Sequence, residues 1–189
     1  ERAHAAFQGG VGSGGAIAAA SLGGHLACRR RGPTAEFPEL SPDLRLDPSV
    51  ETEAFRCADL AVPEGVEIGA VWLGSPASTT DFVQLVVDHM QSEPAIVRRR
   101  LEEIAETAES AIRAARRDSS GAFVEAVEAA DRAMEELGRT CEMPIVVDAH
   151  VRLREIASEY GLLAKPSGAG GGDVSLVVGP TGAAWSKFR

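Results

Sequence analysis

The chain has 189 residues, which suits one domain with a real core, and its 44% hydrophobic and 25% charged content is ordinary for a globular protein. A formal charge of −9 argues against general nucleic-acid binding or attachment to an anionic membrane, so any phosphate ligand needs local positive charge. No apolar run is long enough to span a membrane, and no signal peptide is visible.

Residues 1–8 read as the end of a helix and 9–15 as a glycine-rich turn. Residues 16–22 are small and apolar, and predict a short buried helix stopped by Gly23 and Gly24. A helix N-terminus after glycines suits an anion, because free N–H groups and the macrodipole both point there. Close helix packing through alanine and glycine is the alternative. Residues 25–30 read as a strand, with Leu26 and Cys28 facing in and His25, Ala27 and Arg29 facing out. The run Arg29-Arg30-Arg31 either meets phosphate or ends a strand in solvent. Residues 32–48 hold four prolines and form an irregular excursion, and 55–60 suggest a second strand.

Residues 66–73 are the clearest early strand, ending near Trp72, and Gly74-Ser75-Pro76 breaks it. Ser78 or Thr79 then caps a helix over 81–90, with Asp81 favourable in its first turn. Residues 94–117 form a long amphipathic helix, capped by Ser92, in which Val97, Leu101, Ile104, Ala108, Ile112 and Ala115 recur at helical steps. Phe123, Val127, Ala130, Met134 and Leu137 repeat the period in a second helix closed by Gly138, so an antiparallel pair is expected. Asp148 is the expected N-cap of a helix over 149–160, with Gly161 as its stop. Residues 162–165 and 174–178 flank a glycine loop as a hairpin, and 185–189 begin a further helix. Strands and helices mix without regular alternation. That predicts an α+β fold, a mainly antiparallel sheet with helices packed on one face.

Cys28, Cys57 and Cys141 are an odd, scattered set without metal-like spacing, so neither a disulfide framework nor a zinc site is expected. They read as small buried hydrophobes in a reducing compartment, consistent with the cytoplasm. The chain opens on Glu1 rather than Met and reads as a fragment or processed product, so its N-terminal targeting is not legible.

The stretch richest in chemistry is Lys165-Pro166-Ser167-Gly168-Ala169-Gly170-Gly171-Gly172-Asp173, which runs into a β-branched strand. Its glycines let the backbone turn where side chains would clash, and they bare N–H groups that can line a concave anion site. Lys165 adds a point charge and Ser167 a hydroxyl. A flexible turn between two strands is the other reading. No Gly-Lys-Ser/Thr triplet closes the loop, and a strand rather than a helix follows it. It is therefore neither a P-loop nor a dinucleotide fingerprint.

This stretch resembles the third conserved motif of the GHMP kinases, and its wording is most like that of the phosphomevalonate kinases among them. Two more segments agree in order: Gln8-Gly9-Gly10-Val11-Gly12-Ser13-Gly14, and Trp72-Leu73-Gly74-Ser75-Pro76-Ala77-Ser78-Thr79. The resemblance covers nearly the whole chain, but only the second half of such an enzyme. It implies a ferredoxin-like GHMP C-terminal domain over 1–189, with the last part of the preceding region at 1–24.

It also implies ATP-dependent phosphoryl transfer onto 5-phosphomevalonate, in isoprenoid synthesis, with Mg²⁺ arriving on the nucleotide. By the resemblance, Gly168, Ala169, Gly170, Gly171 and Gly172 lie against the reacting phosphates and Lys165 offsets charge. Ser78 and Thr79 contact the acceptor, with Gly12, Ser13, Gly14, Ser167 and Asp173 completing the site. The family's nucleotide-binding loop has no match here, so an N-terminal half is expected in cis or as a separate chain. The family's catalytic Asp is replaced by Ala16, which leaves no catalytic residue identified. The competing expectations are a non-catalytic relative that binds a phosphorylated metabolite or a partner protein, and a member with another acceptor.

Overall fold

A computed structural model describes residues 15–30, 50–51, 55–74, 76 and 78–188. The expectations for residues 1–14 and 32–48, Gly12, Ser13 and Gly14 among them, lie outside the described residues. In chain order the elements are α1 (Gly15–Leu22), β1 (Leu26–Arg30), β2 (Val50–Glu51), β3 (Phe55–Asp59) and β4 (Val66–Trp72). They continue with α2 (Thr79–Ser92), α3 (Pro94–Arg116), α4 (Ser120–Thr140), α5 (Asp148–Glu159), β5 (Leu163–Pro166), β6 (Val174–Pro180) and α6 (Ala183–Phe188). Among the described residues no helix is long and apolar enough to cross a membrane.

The strands form two antiparallel sheets of three, ordered β1-β3-β2 and β4-β6-β5. In the second, β4 and β5 both run antiparallel to β6 and hence parallel to each other. That is the split βαβ arrangement of a ferredoxin-like unit, and the mixed α+β expectation holds. Among the described residues β4 is an edge strand, pairing with β6 from Val66↔Pro180 to Trp72↔Val174.

Helices cover both faces of this sheet, not one as expected. Successive β6 residues point to opposite sides. Val177 packs with Leu153 and Ala157 of α5 and Trp185 of α6, while Val178 packs with Ala114 and Ala115 of α3 and Phe123 of α4. A doubly covered strand reads as the unbroken apolar run Leu176-Val177-Val178, which does not say how many faces are covered. Gly69 lets Trp185 close on the sheet: a Cβ there would stand 2.9 Å from the indole.

The antiparallel pair α3 and α4 is as the periodicity predicts, with Arg100 near the start of one helix donating to Thr140 at the end of the other. Four local expectations change. Gly138 does not end its helix, which continues to Thr140; a Cβ there would lie 2.9 Å from the Met143 carbonyl, so the glycine permits a close approach. Ser92 does not cap α3: its hydroxyl donates back to the His89 carbonyl at 3.2 Å, and Glu93 stands at the N-cap. Asp148 lies one residue inside α5, with Val147 at the N-cap and the His150 ring accepting the Val147 N–H at 3.2 Å. Gly161 does stop α5. Its N–H bonds to Ser158 and that of Leu162 to Ala157, which satisfies the last carbonyls in a Schellman arrangement.

The first sheet departs further from expectation. Ala27 and Ala58 face inward, packed with Ile112 of α3, so the β1 alternation is opposite to that predicted and Cys28 is exposed. Cys28 stands directly opposite Cys57 and forms a disulfide with it, contrary to the expectation of three unpaired thiols. The strand register supplies the proximity, which 29 residues of sequence separation conceal. Cys141 alone is a buried free thiol, and burial pushes its pKa up. α1 forms, but residues 19–22 at its end are exposed rather than buried, because nothing among the described residues packs over them.

Candidate functional site

The glycine loop, residues 167–173, joins β5 to β6 as the tip of a hairpin. Ser167 N–H donates to the Val174 carbonyl at 2.8 Å and Gly170 N–H to the Ser167 carbonyl at 3.2 Å, which closes the turn on itself. Gly168, Gly170, Gly171 and Gly172 all have positive φ, from 58° to 105°. Side-chain-bearing residues rarely adopt this region, so the sequence spends four glycines on one turn.

The loop is anchored from below by the link between α4 and α5. Gly171 N–H donates to the Ile145 carbonyl at 2.9 Å, and any side chain on Gly170 would collide with that same carbonyl. Ile145 is itself held in the apolar cluster of Val97, Leu137, Cys141 and Met143. The N–H groups of Gly168, Ala169 and Gly172 make no hydrogen bond to the described residues. A rigid turn presenting such N–H groups is a concave donor surface for an anion.

The segment after β4 meets the same end of the sheet. Leu73 N–H donates to the Asp173 carbonyl at 2.9 Å, which extends the β4–β6 pairing one step into the loop. Five residues later Ser78 caps α2, its Oγ accepting from the Asp81 N–H at 3.4 Å, and Thr79 opens the helix, exposed. Thus Ser167, Gly168, Ala169, Gly170, Gly171, Gly172 and Asp173 belong to one end of the sheet, where Leu73 joins them, while Ser78 and Thr79 stand at the N-terminus of α2. Ser75 and Ala77 lie outside the described residues, as do Gly12, Ser13 and Gly14. Ala16 lies in the first turn of α1.

Lys165 is held at the base of the loop, on the sheet face that α3 and α4 cover. Its register partner is Leu176, and its Nζ donates to the Pro166 carbonyl at 2.6 Å. Burial lowers its pKa, and the Asp131 carboxylate across from it works in the opposite direction. Asp131 of α4 accepts from Arg154 of α5 at 2.6 Å, and Glu135 accepts from the same guanidinium at 2.9 Å. Desolvation raises the Asp131 pKa despite Arg154 beside it.

His150 completes this buried group at 1% exposure. Its Nδ1 is taken by Val147 N–H, and its Nε2 has no partner among the described residues. Burial lowers its pKa, and the charges of Arg154 and Lys165 add to that. A neutral ring is required, because only an unprotonated Nδ1 can accept a hydrogen bond.

Sequence reasoning missed Asp131, His150 and Arg154 as a set. The signal was present: Asp131 falls four residues after Val127 on the apolar stripe of α4, and Arg154 adjoins Leu153 on that of α5. Charged residues at inward positions are rarely left unpaired. Among the described residues no cluster of three or more His, Cys, Asp or Glu side chains has the geometry to hold a metal.

No protein-family model matches the chain. The chain is 26% identical over 170 residues to the phosphomevalonate kinase of Streptomyces sp. (strain CL190), an alignment covering 88% of this chain and 45% of that protein. It therefore spans a little under half the length of the curated relative it matches. Among solved structures it is similar to L. major mevalonate kinase in complex with R-mevalonate, with a TM-score of 0.73 and 17% identity over 96% of this chain and 49% of that one. It is also similar to Streptococcus pneumoniae phosphomevalonate kinase in complex with phosphomevalonate and AMPPNP, with a TM-score of 0.60 and 21% identity over 73% of this chain and 39% of that one. At these identities the structural matches establish a shared fold.

Proposed function

Because the chain is a relative of the GHMP kinases and matches the C-terminal part of such an enzyme, we propose that it is the acceptor-side half of an ATP-dependent phosphotransferase acting on 5-phosphomevalonate. The observation that carries this reading is the hydrogen bond from Leu73 to Asp173. It joins two segments, 72–79 and 165–173, that the sequence singles out separately.

In this reading the free N–H groups of Gly168, Ala169 and Gly172 bind phosphate oxygens. Ser78 and Thr79 orient the acceptor from the N-terminus of α2, and Ser167 adds a hydroxyl at the loop's entrance. Lys165 raises the local potential from beneath the loop. Asp173 ties the loop to β4 through its carbonyl. The turn fits phosphate because its donors are backbone groups already fixed in place, so little reorganisation accompanies binding. Bound ATP with Mg²⁺ supplies the transferred phosphoryl group and the screening of its charge.

The remaining nucleotide contacts would come from an N-terminal half, in cis or as a separate chain. On this reading the chain is a GHMP C-terminal domain of a cytoplasmic protein. Ala16 offers no carboxylate to take a proton. A phosphate acceptor needs that less than an alcohol does, since the second pKa of a phosphate monoester is about 6 and the group is mostly ionised at neutral pH.

The test is ADP release with phosphomevalonate as acceptor, on the complete product of the native gene, with this chain alone beside it. Turnover in the complete product only is the expected result. Ala16 favours a second reading, a non-catalytic relative that binds a phosphorylated metabolite or a partner protein. Phosphomevalonate binding without turnover in either sample would select it. Turnover with a different acceptor in a substrate panel would keep the kinase and replace its substrate.

A further inference from the structure

The disulfide is a chemically reactive feature that the kinase reading leaves unused. It joins β1 to β3 at directly opposed positions. Its two ends differ. Cys57 lies on the central strand, flanked by Val50 of β2, and is 0% exposed. Cys28 lies on the edge strand β1 and is exposed. Side chains alternate along a strand, so the bridge stands on the face opposite Ala27 and Ala58, away from α3.

Among the described residues β1 pairs with β3 and packs through Ala27 against Ala58 and Ile112, and α1 precedes it across Gly23 and Gly24. The disulfide is a covalent tie across the β1–β3 ladder, and it lies apart from the clusters that bury Val177 and Val178.

We propose that Cys28 and Cys57 form a thiol–disulfide exchange site, opened by a dithiol reductant, that sets how firmly β1 and α1 are attached to the rest of the chain. A thiolate of the reductant attacks the sulfur of Cys28, the exposed residue of the pair. The S–S electron pair leaves on the Cys57 sulfur, which takes a proton. The reductant's second thiolate then attacks the mixed disulfide, releasing the Cys28 thiolate, which is protonated in turn. Two electrons and two protons pass from the dithiol to the cystine, and the reductant leaves as its own disulfide. In a reducing compartment a disulfide of this kind is a transient, sensing bond rather than a permanent staple. The exchange needs neither nucleotide nor acceptor, so it stands or falls separately from the kinase assignment.

The test uses the full chain equilibrated across ratios of reduced to oxidised dithiothreitol, then alkylated and mapped by peptide mass. Hydrogen exchange is followed in parallel on both end states. The expected result is a reversible Cys28–Cys57 cross-link, with Cys141 protected from alkylation until the chain unfolds. Amide exchange over residues 19–30 should be roughly tenfold or more faster in the reduced state, with β6 unchanged. Cys28→Ser should show the faster exchange under both conditions. Failure of the two cysteines to cross-link at any ratio overturns the proposal, as does equal exchange over 19–30 in the two wild-type end states. Both deciding measurements use the wild-type chain, so neither depends on a variant that folds.

Discussion

In the sheet β4-β6-β5, branched and aromatic side chains are buried on both faces. Val177 and Val178, neighbours in sequence, enter two different cores. In the sheet β1-β3-β2, the contacts among the described residues are Ala27 and Ala58 against Ile112 and Leu60, and a disulfide on the opposite face adds a covalent tie. Burying a valine or leucine side chain is worth about 1.5–3 kcal/mol, while an alanine offers a single methyl. One sheet is therefore held by packing, and its loop can be rigid. The other, among the described residues, combines its backbone ladder with alanine-sized contacts and one reducible bond. The part of the molecule that presents a fixed donor surface is the part that packing makes stiff.

This contrast can be broken most directly at the loop's anchor. Gly170→Val combines a left-handed backbone at φ 81° with a collision against the Ile145 carbonyl. It should cost about 3 kcal/mol or more, read as a denaturant midpoint shift. Gly168→Ala is the control: φ is 58°, nothing lies within 4 Å of the added methyl, and the cost should be about 1 kcal/mol. Equal losses at the two positions would mean that the contact with Ile145 does not hold the loop.

The sheets themselves can be set against each other by matched truncations. Val177→Ala removes two methyl groups from a site at 0% exposure and should cost about 2 kcal/mol. Ala58→Gly in the other sheet should cost about 1 kcal/mol, mostly through backbone entropy. A reversal of that order in thermal or chemical unfolding would refute the division into packed and clamped halves.

Acid should weaken the packed half through His150. Its folded pKa lies below the ordinary value of 6.5, so the unfolded chain binds a proton that the folded chain refuses. The contribution is complete above pH 6.5 and is lost as pH falls below it, by at most about 1.4 kcal/mol per pH unit. Unfolding midpoints from about pH 7.5 to about 5.5 should fall more steeply in the wild type than in His150→Asn, whose side-chain oxygen can still accept the Val147 N–H. Smallest of all, Ser78→Ala removes a long, exposed cap at 3.4 Å. It should cost about 0.5 kcal/mol, and it should lower acceptor binding in the complete protein only if that hydroxyl touches the ligand.

Much of the packed half was legible in the sequence, because its signals are local. The period of α3, the β-branched run of β6 and the glycines between β5 and β6 each declare an element within a dozen residues. What was not legible depends on partners distant in sequence. Gly138 looks like a helix stop until Met143 is seen folding back against it. The Cys28–Cys57 bond and the inward turn of Ala27 require the β1–β3 register, which weakly alternating strands do not dictate. The grouping of Asp131, Arg154, His150 and Lys165 comes from α4, α5 and β5 meeting. The place of Asp131 on an apolar stripe marks it as an inward charge, but the stripe does not say which partners meet it.

The edge position of β4 also bears on how the isolated chain behaves in concentrated solution. One side of its seven residues is paired with β6, and the other carries no strand among the described residues. Trp72, 59% exposed, ends that edge, and Gly69 leaves it without a side chain at its middle. An open edge of this length is a template for another strand, including β4 of a second molecule. Net charge of −9 keeps such encounters rare at low salt. Raising the ionic strength screens that repulsion, and light scattering should then rise with protein concentration. A Lys substituted for Ala70 on this edge should suppress the rise.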